Sequence, residues 1–249
     1  MSTICRRTTL AFLLVLAALA LLPGVASASH GGGAHWARSS NPFTVRLGDN
    51  VSATWDPFLA VSAADWSASS VLDTVVVAGG TSPKTCRPTL GRVEICSAAY
   101  GNTGWLSLEQ LWTSGGHITQ ATVKLNDTYF NNPPYNSAAT RQSFVCHGVG
   151  RSLGLGNQAS GSGSCMGDLS AQHPNAHDYE ELEAMYAHLD LASSAALGSR
   201  MPQAMVDLDL SRPMDWGRLV KSLDDGRVTV YRLDFGGGNR VYTIVTWAE

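Results

Sequence analysis

The stretch 145–158 reads VCHGVGRSLGLGNQ. His147 and Arg151 are four residues apart, so on a helix they share one face, a turn apart. Asn157 follows beyond Gly154, a residue free to turn the chain back toward that face. A catalytic zinc uses such an arrangement: three protein ligands around the metal and one position open for water. The side chains on offer are an imidazole, a guanidinium and a carboxamide. Only His147 suits zinc, because a neutral amide oxygen favours harder cations and a guanidinium stays protonated. Gly148, next to His147, has no acid with which to activate a metal-bound water.

These residues need a helix to carry them, and the pattern predicts one from about 137 to 155, ending near Gly154. Upstream, FTVRLG reads as a strand with Phe43, Val45 and Leu47 on one face. Asp56 and Pro57 supply an N-cap and a first-turn proline for a helix to about Ser67 that buries Leu59, Ala63 and Trp66. VLDTVVVAGG reads as a second, mostly buried strand, CRPTLGRVEIC as a stapled hairpin or loop, and ITQATVKLND as another strand. A further helix is expected with Asp178 as N-cap and Glu181 completing a capping box, followed by a core stripe of Leu182, Met185, Tyr186 and Leu189. Beyond Asp190 the chain reads as a linker and then three short strands, turned at Asp225-Gly226 and at 236–239.

The chain opens like a secretory signal. Arg6 and Arg7 precede an apolar run from Leu10 to Leu22, with small residues up to an expected cleavage after Ala28. Three segments follow: a signal peptide at 1–28, a main domain at 29–190, and a linker with a small C-terminal β extension at 191–249. A secreted, extracellular protein is expected, with no membrane association after cleavage. A net charge of −3 with mixed signs gives no case for nucleic acid. With Cys5 in the signal, Cys86, Cys96, Cys146 and Cys165 remain. An even number in an exported chain favours disulfides, and the local pairing Cys86–Cys96 and Cys146–Cys165 is expected among the three possible. The rival, zinc ligation by these cysteines, lacks a CxxC pair.

The pattern H-E-x-x-H-x-x-G-x-x-H, laid over the sequence from His147, puts Gly148 at the glutamate, Arg151 at the second histidine, Gly154 at the glycine and Asn157 at the third histidine. Cys165-Met166-Gly167 follows where a methionine turn would lie. With HPNAHDYEELEAMYAHLD and a WGRLV…GGGNR tail, the chain resembles exported bacterial metzincins of the matrixin-like kind over nearly its whole mature length. The resemblance implies an α+β, metzincin-like zincin domain: a twisted, mostly parallel mixed sheet, a motif helix and a turn carrying Met166, with the β extension added. It also implies zinc-dependent cleavage of peptide bonds, with Cys146–Cys165 tying helix to turn.

The residues themselves oppose that activity. A dication about 4 Å from Arg151 faces roughly 8 kcal/mol of repulsion at an effective dielectric of 20. Structural zinc sites with four good ligands gain about 10–16 kcal/mol. No cofactor is therefore expected; zinc would be the cofactor if the family's function were retained. The reading is a pseudo-metalloprotease that binds peptide or protein along the strand edge beside the former cleft; the alternative is an active zinc endopeptidase. No oligomeric state follows. Arg151 is expected to replace the lost metal charge and pair with a carboxylate such as Asp168, or else to reach solvent. A relocated metal on His147, His173 and His177 is a further alternative. Ser152 lacks a His–Asp pair to activate it, and His35, His117 and His188 read as surface or core-edge residues.

Overall fold

The computed structural model describes residues 33–249, so the expected signal segment lies outside it. The chain is mixed α+β, and its strands form one nine-stranded mixed sheet. β1 (His35–Trp36) is a short parallel addition to the sheet. β2 (Phe43–Asn50) buries Val45 and Leu47, with Phe43 packed at the core's margin. α1 (Asp56–Trp66) buries Leu59, Ser62, Ala63 and Trp66. Its N-cap is Trp55, which offers no side-chain acceptor; Asp56 instead begins the first turn, where a negative charge suits the helix dipole. β3 (Leu72–Ala78) is not mostly buried. It pairs only with β2 at one end of the sheet, and Val75 and Val76 are exposed.

Cys86 lies in a loop and pairs with Cys96 of β4 (Val93–Ala98). β5 (Trp105–Ser114), a strand not expected from the sequence pattern, is buried along nearly its whole length and runs antiparallel to β6 (His117–Asn126). A short α2 (Asp127–Phe130) leads to α3 (Ala138–Ser152), capped by Ser137, whose hydroxyl accepts the Thr140 N–H at 3.0 Å. α4 (Ala176–Met185) has a capping box formed by Asn175 and Asp178, three residues before the expected start. Asp178 still caps, but from the third helical position. Leu182 and Tyr186 are buried, Met185 packs beside the core, and Leu189 lies past the helix end in the open.

The expected linker holds α5 (Ser194–Gly198) and α6 (Gln203–Val206). Then come β7 (Arg218–Leu223), β8 (Val228–Asp234) and β9 (Arg240–Trp247). β9 runs antiparallel along β5, from Trp105 opposite Trp247 to Thr113 opposite Arg240. The strand order is β3-β2-β4-β6-β5-β9-β8-β7. The sheet is thus not mostly parallel: its β3-β2-β4-β6 half is, and its β5-β9-β8-β7 half is antiparallel. One face packs on α1, α3 and the later part of α4, around Trp55, Trp66, Val123, Phe144 and Tyr186. The other buries Leu108, Trp112, Met205, Trp216 and Val245 under the short helices. The motif helix therefore lies against the middle of the sheet. Among the described residues no helix is long and apolar enough to cross a membrane.

Candidate functional site

From residue 142 to its C-terminus, α3 is buried on every side. Two glycines permit this depth. A Cβ on Gly148 would lie 2.6 Å from Val123 Cγ1 of β6, so the helix rests on the sheet at that point. A Cβ on Gly150 would meet Met166 Sδ at 2.4 Å and Trp66 Cζ2 at 2.5 Å, so sulfur and indole press on the helix backbone from another side. The Trp66 indole N–H donates to the Cys146 carbonyl at 3.1 Å, and Cys146 is bonded to Cys165. Gly154, at φ +103°, then turns the chain out of the helix, as expected.

The segment after this turn is held beside the Met166 turn. Gln158 donates its backbone N–H to Met166 O at 2.9 Å and its side-chain amide to Asp178 Oδ1 at 2.6 Å. The other Asp178 oxygen accepts from the Ser164 hydroxyl and from the Asn175 N–H. One buried carboxylate thus joins turn, loop and α4. Asn157 is placed next to His147 by this frame.

His147 and Arg151 are both buried, with relative exposures of 1% and 4%. Arg151 Nε donates to His147 Nε2 at 3.4 Å, so the imidazole nitrogen that faces it acts as an acceptor. Burial, together with the adjacent guanidinium charge, pushes His147 down to about 3. Burial lowers Arg151 to about 10, with Glu109 and Asp224 opposing that shift, so it remains a cation at neutral pH. Asp224 belongs to the turn between β7 and β8, where Asp224 and Asp225 have φ of 51° and 53°. Asn157 Nδ2 donates to Asp224 Oδ2 at 3.2 Å.

Glu109 completes the group. It sits on β5 opposite Val123 of β6 and Ile244 of β9, an apolar row, and is 0% exposed. Its Oε1 lies 3.6 Å from the point where a Cβ on Gly148 would be. A buried carboxyl from the sheet thus lies beside the glycine that follows His147. The Ser107 hydroxyl lies nearby, yet neither carboxylate oxygen attains hydrogen-bond geometry with a partner. Burial pushes Glu109 up to about 7, against the pull of Arg151 and Ser107.

Zinc does not fit these residues. The Nε2 of His147, the one imidazole present, already accepts from Arg151. The second and third ligand positions carry a cation and an amide. Searched against protein families and against curated proteins, the chain gives no match.

Several expectations need correction. Arg151 neither reaches solvent nor pairs with Asp168; its charge is met by Glu109 and Asp224. Asp168 instead accepts the Gly161 and Gly163 N–H groups, each at 2.7 Å. His173 pairs with Asp65 at 2.7 Å and His177 approaches Glu180 at 3.7 Å, both at the surface, so they form no site with His147. The Ser152 hydroxyl donates to Val149 O. His35, His117 and His188 are surface or core-edge residues, as expected, and they lie together. Glu109 belongs to no helical motif, and an acid within the largely apolar run WLSLEQLW was its only sign.

A double-mutant cycle with Glu109→Gln and Arg151→Met tests the charge pairing. We expect each single change to destabilise and the pair to recover about 1–3 kcal/mol of their sum, read from urea unfolding; strict additivity would contradict it. For His147, the folded chain binds fewer protons than the unfolded one between pH 3 and 6.5, so its contribution is complete above 6.5 and lost as pH falls. Between pH 6.5 and pH 4, wild type should lose about 3 kcal/mol more stability than His147→Gln.

Proposed function

We propose that this chain is an exported, catalytically inactive relative of the matrixin-like metzincins, retained as a binding protein. The observation that carries this reading is Arg151, a buried cation against the one imidazole of the motif, with the buried Glu109 close enough to act on its charge. The order of parts around it also supports the reading: a helix, a glycine turn, a methionine turn and a disulfide between Cys146 and Cys165. The alternative, an active zinc endopeptidase, lacks two imidazoles and a base in the right state. Glu109 is an acid near Gly148, but it lies in a dry row of side chains and its nearest charge is a guanidinium rather than a metal-bound water.

The manner of binding differs from strand addition at the cleft. The outer edge of β5 is already paired to β9, so a peptide cannot extend the sheet there. A smaller cavity of about 380 Å³ is lined by Arg151 and Asn157, and a larger groove of about 1080 Å³ lies between α3, the Met166 loop and the C-terminal strands, lined in part by Leu106, Tyr135, Phe144, Leu169 and Trp247. Asp168, Asp224, Asp225 and Glu249 outnumber Arg227 around it. Such a lining suits an apolar segment flanked by basic residues, recognised through side chains.

Incubation of the exported chain with casein or gelatin and added zinc provides the test. No hydrolysis above background is expected. Cleavage that 1,10-phenanthroline abolishes and that His147→Gln also removes would overturn the proposal.

A further inference from the structure

His35, His117, His188 and Asp190 converge from three parts of the chain. His35 opens β1, His117 opens β6, and His188 and Asp190 follow α4. The ligand-competent atoms of His35, His117 and Asp190 all lie within 4.8 Å of one another, close enough to share a metal ion. Asp190 Oδ1 is 3.0 Å from His117 Nε2, 3.6 Å from His35 Nε2 and 3.5 Å from His188 Nε2. His35 Nε2 and His188 Nε2 are themselves 3.2 Å apart.

The four separations are close to the edges of a tetrahedral zinc site; the atoms within mutual reach as they stand are those of His35, His117 and Asp190, with His188 against two of them. Zinc with bonds of about 2.0–2.1 Å to each ligand needs ligand atoms about 3.3 Å from one another. Hydrogen bonding explains the arrangement less well. A single carboxylate oxygen would have three imidazoles crowding it, two of them also pointing nitrogen at nitrogen. A shared cation satisfies His35, His117 and Asp190 at once, and His188, beside two of them, completes a set of three neutral imidazoles and one carboxylate that suits zinc.

The surroundings hold Asp190 ready for this. Its other oxygen, Oδ2, accepts from Arg38 Nη1 at 2.9 Å and from the Arg38 backbone N–H at 3.1 Å, leaving Oδ1 to face the histidines. Arg38 also donates to the His188 carbonyl, which fixes the segment carrying both ligands. This arginine differs in placement from Arg151. The negative carboxylate stands between Arg38 and the ligand position, whereas Arg151 stands on the imidazole itself. The side chains of His35, His117 and Asp190 are sheltered, at 18%, 23% and 8% exposure, while His188 at 55% leaves a way in for an ion.

We propose that His35, His117, His188 and Asp190 form a zinc site, separate from the helix of His147, that clamps β1 and the segment after α4 onto the start of β6. The site is structural: four protein ligands complete a tetrahedron and leave no position for a substrate.

The test uses the full exported chain with its disulfides intact, stripped with a chelator and titrated with cobalt(II) and then zinc. One equivalent of cobalt should give the intense visible bands of tetrahedral coordination, and zinc should displace it and raise Tm. His117→Gln and His188→Gln, each checked for native circular dichroism, should weaken binding by more than the roughly 10–100-fold typical of losing an outer-shell partner. His147→Gln should bind as wild type does. Absence of the tetrahedral bands in folded wild type, or binding that survives both ligand changes and is lost in His147→Gln, would overturn the assignment.

Discussion

A guanidinium buried against an imidazole, with carboxylates near enough to offset its charge, sets the terms for everything around it. Removing an ion from water costs several kcal/mol even after the protein relaxes, so Arg151 can lie at 4% exposure only if opposite charge lies close. Glu109 from β5 and Asp224 from the β7–β8 turn both act in that direction, Glu109 only in part because burial holds its carboxyl at about 7. Gly148 makes the first of these possible, since any side chain there would collide with Val123 and enter the space beside the Glu109 carboxylate. The three residues are therefore one unit. Restoring an acid at 148 alone would put a second carboxylate beside Glu109 and push the helix off the sheet.

The frame around the unit is rigid for related reasons. Met166 and Trp66 pack where Gly150 has no side chain, the Cys146–Cys165 bond joins helix to turn, and Asp178 links turn, loop and α4. The C-terminal strands add to this closure. β9 covers the edge of β5, and the turn before β8 brings Asp224 over Asn157. A cleft edge that could have received a peptide strand is occupied by the chain's own tail.

Part of this was legible in the residues. Helical spacing brings Arg151 against His147, and locality correctly paired the cysteines, because both follow from short-range geometry. The α1 and α3 helices and the C-terminal strands were legible from periodicity and turn residues. β5 was not, since a strand buried on both faces shows no alternation, and with β5 went Glu109. The partner of Arg151 was therefore sought nearby in sequence, at Asp168, when it lay across the sheet. The histidine cluster was hidden in the same way: residues 35, 117 and 188 become neighbours only once β1 adds to β6 and α4 returns beside them.

The central claim is that a guanidinium occupies the place where the resemblance would put a metal. Anomalous diffraction at the zinc edge, from crystals grown with zinc, addresses it directly. The account expects no peak at bonding distance from His147 Nε2, with Arg151 still directed at that nitrogen. A strong peak bonded to His147, with Arg151 swung aside, would contradict it.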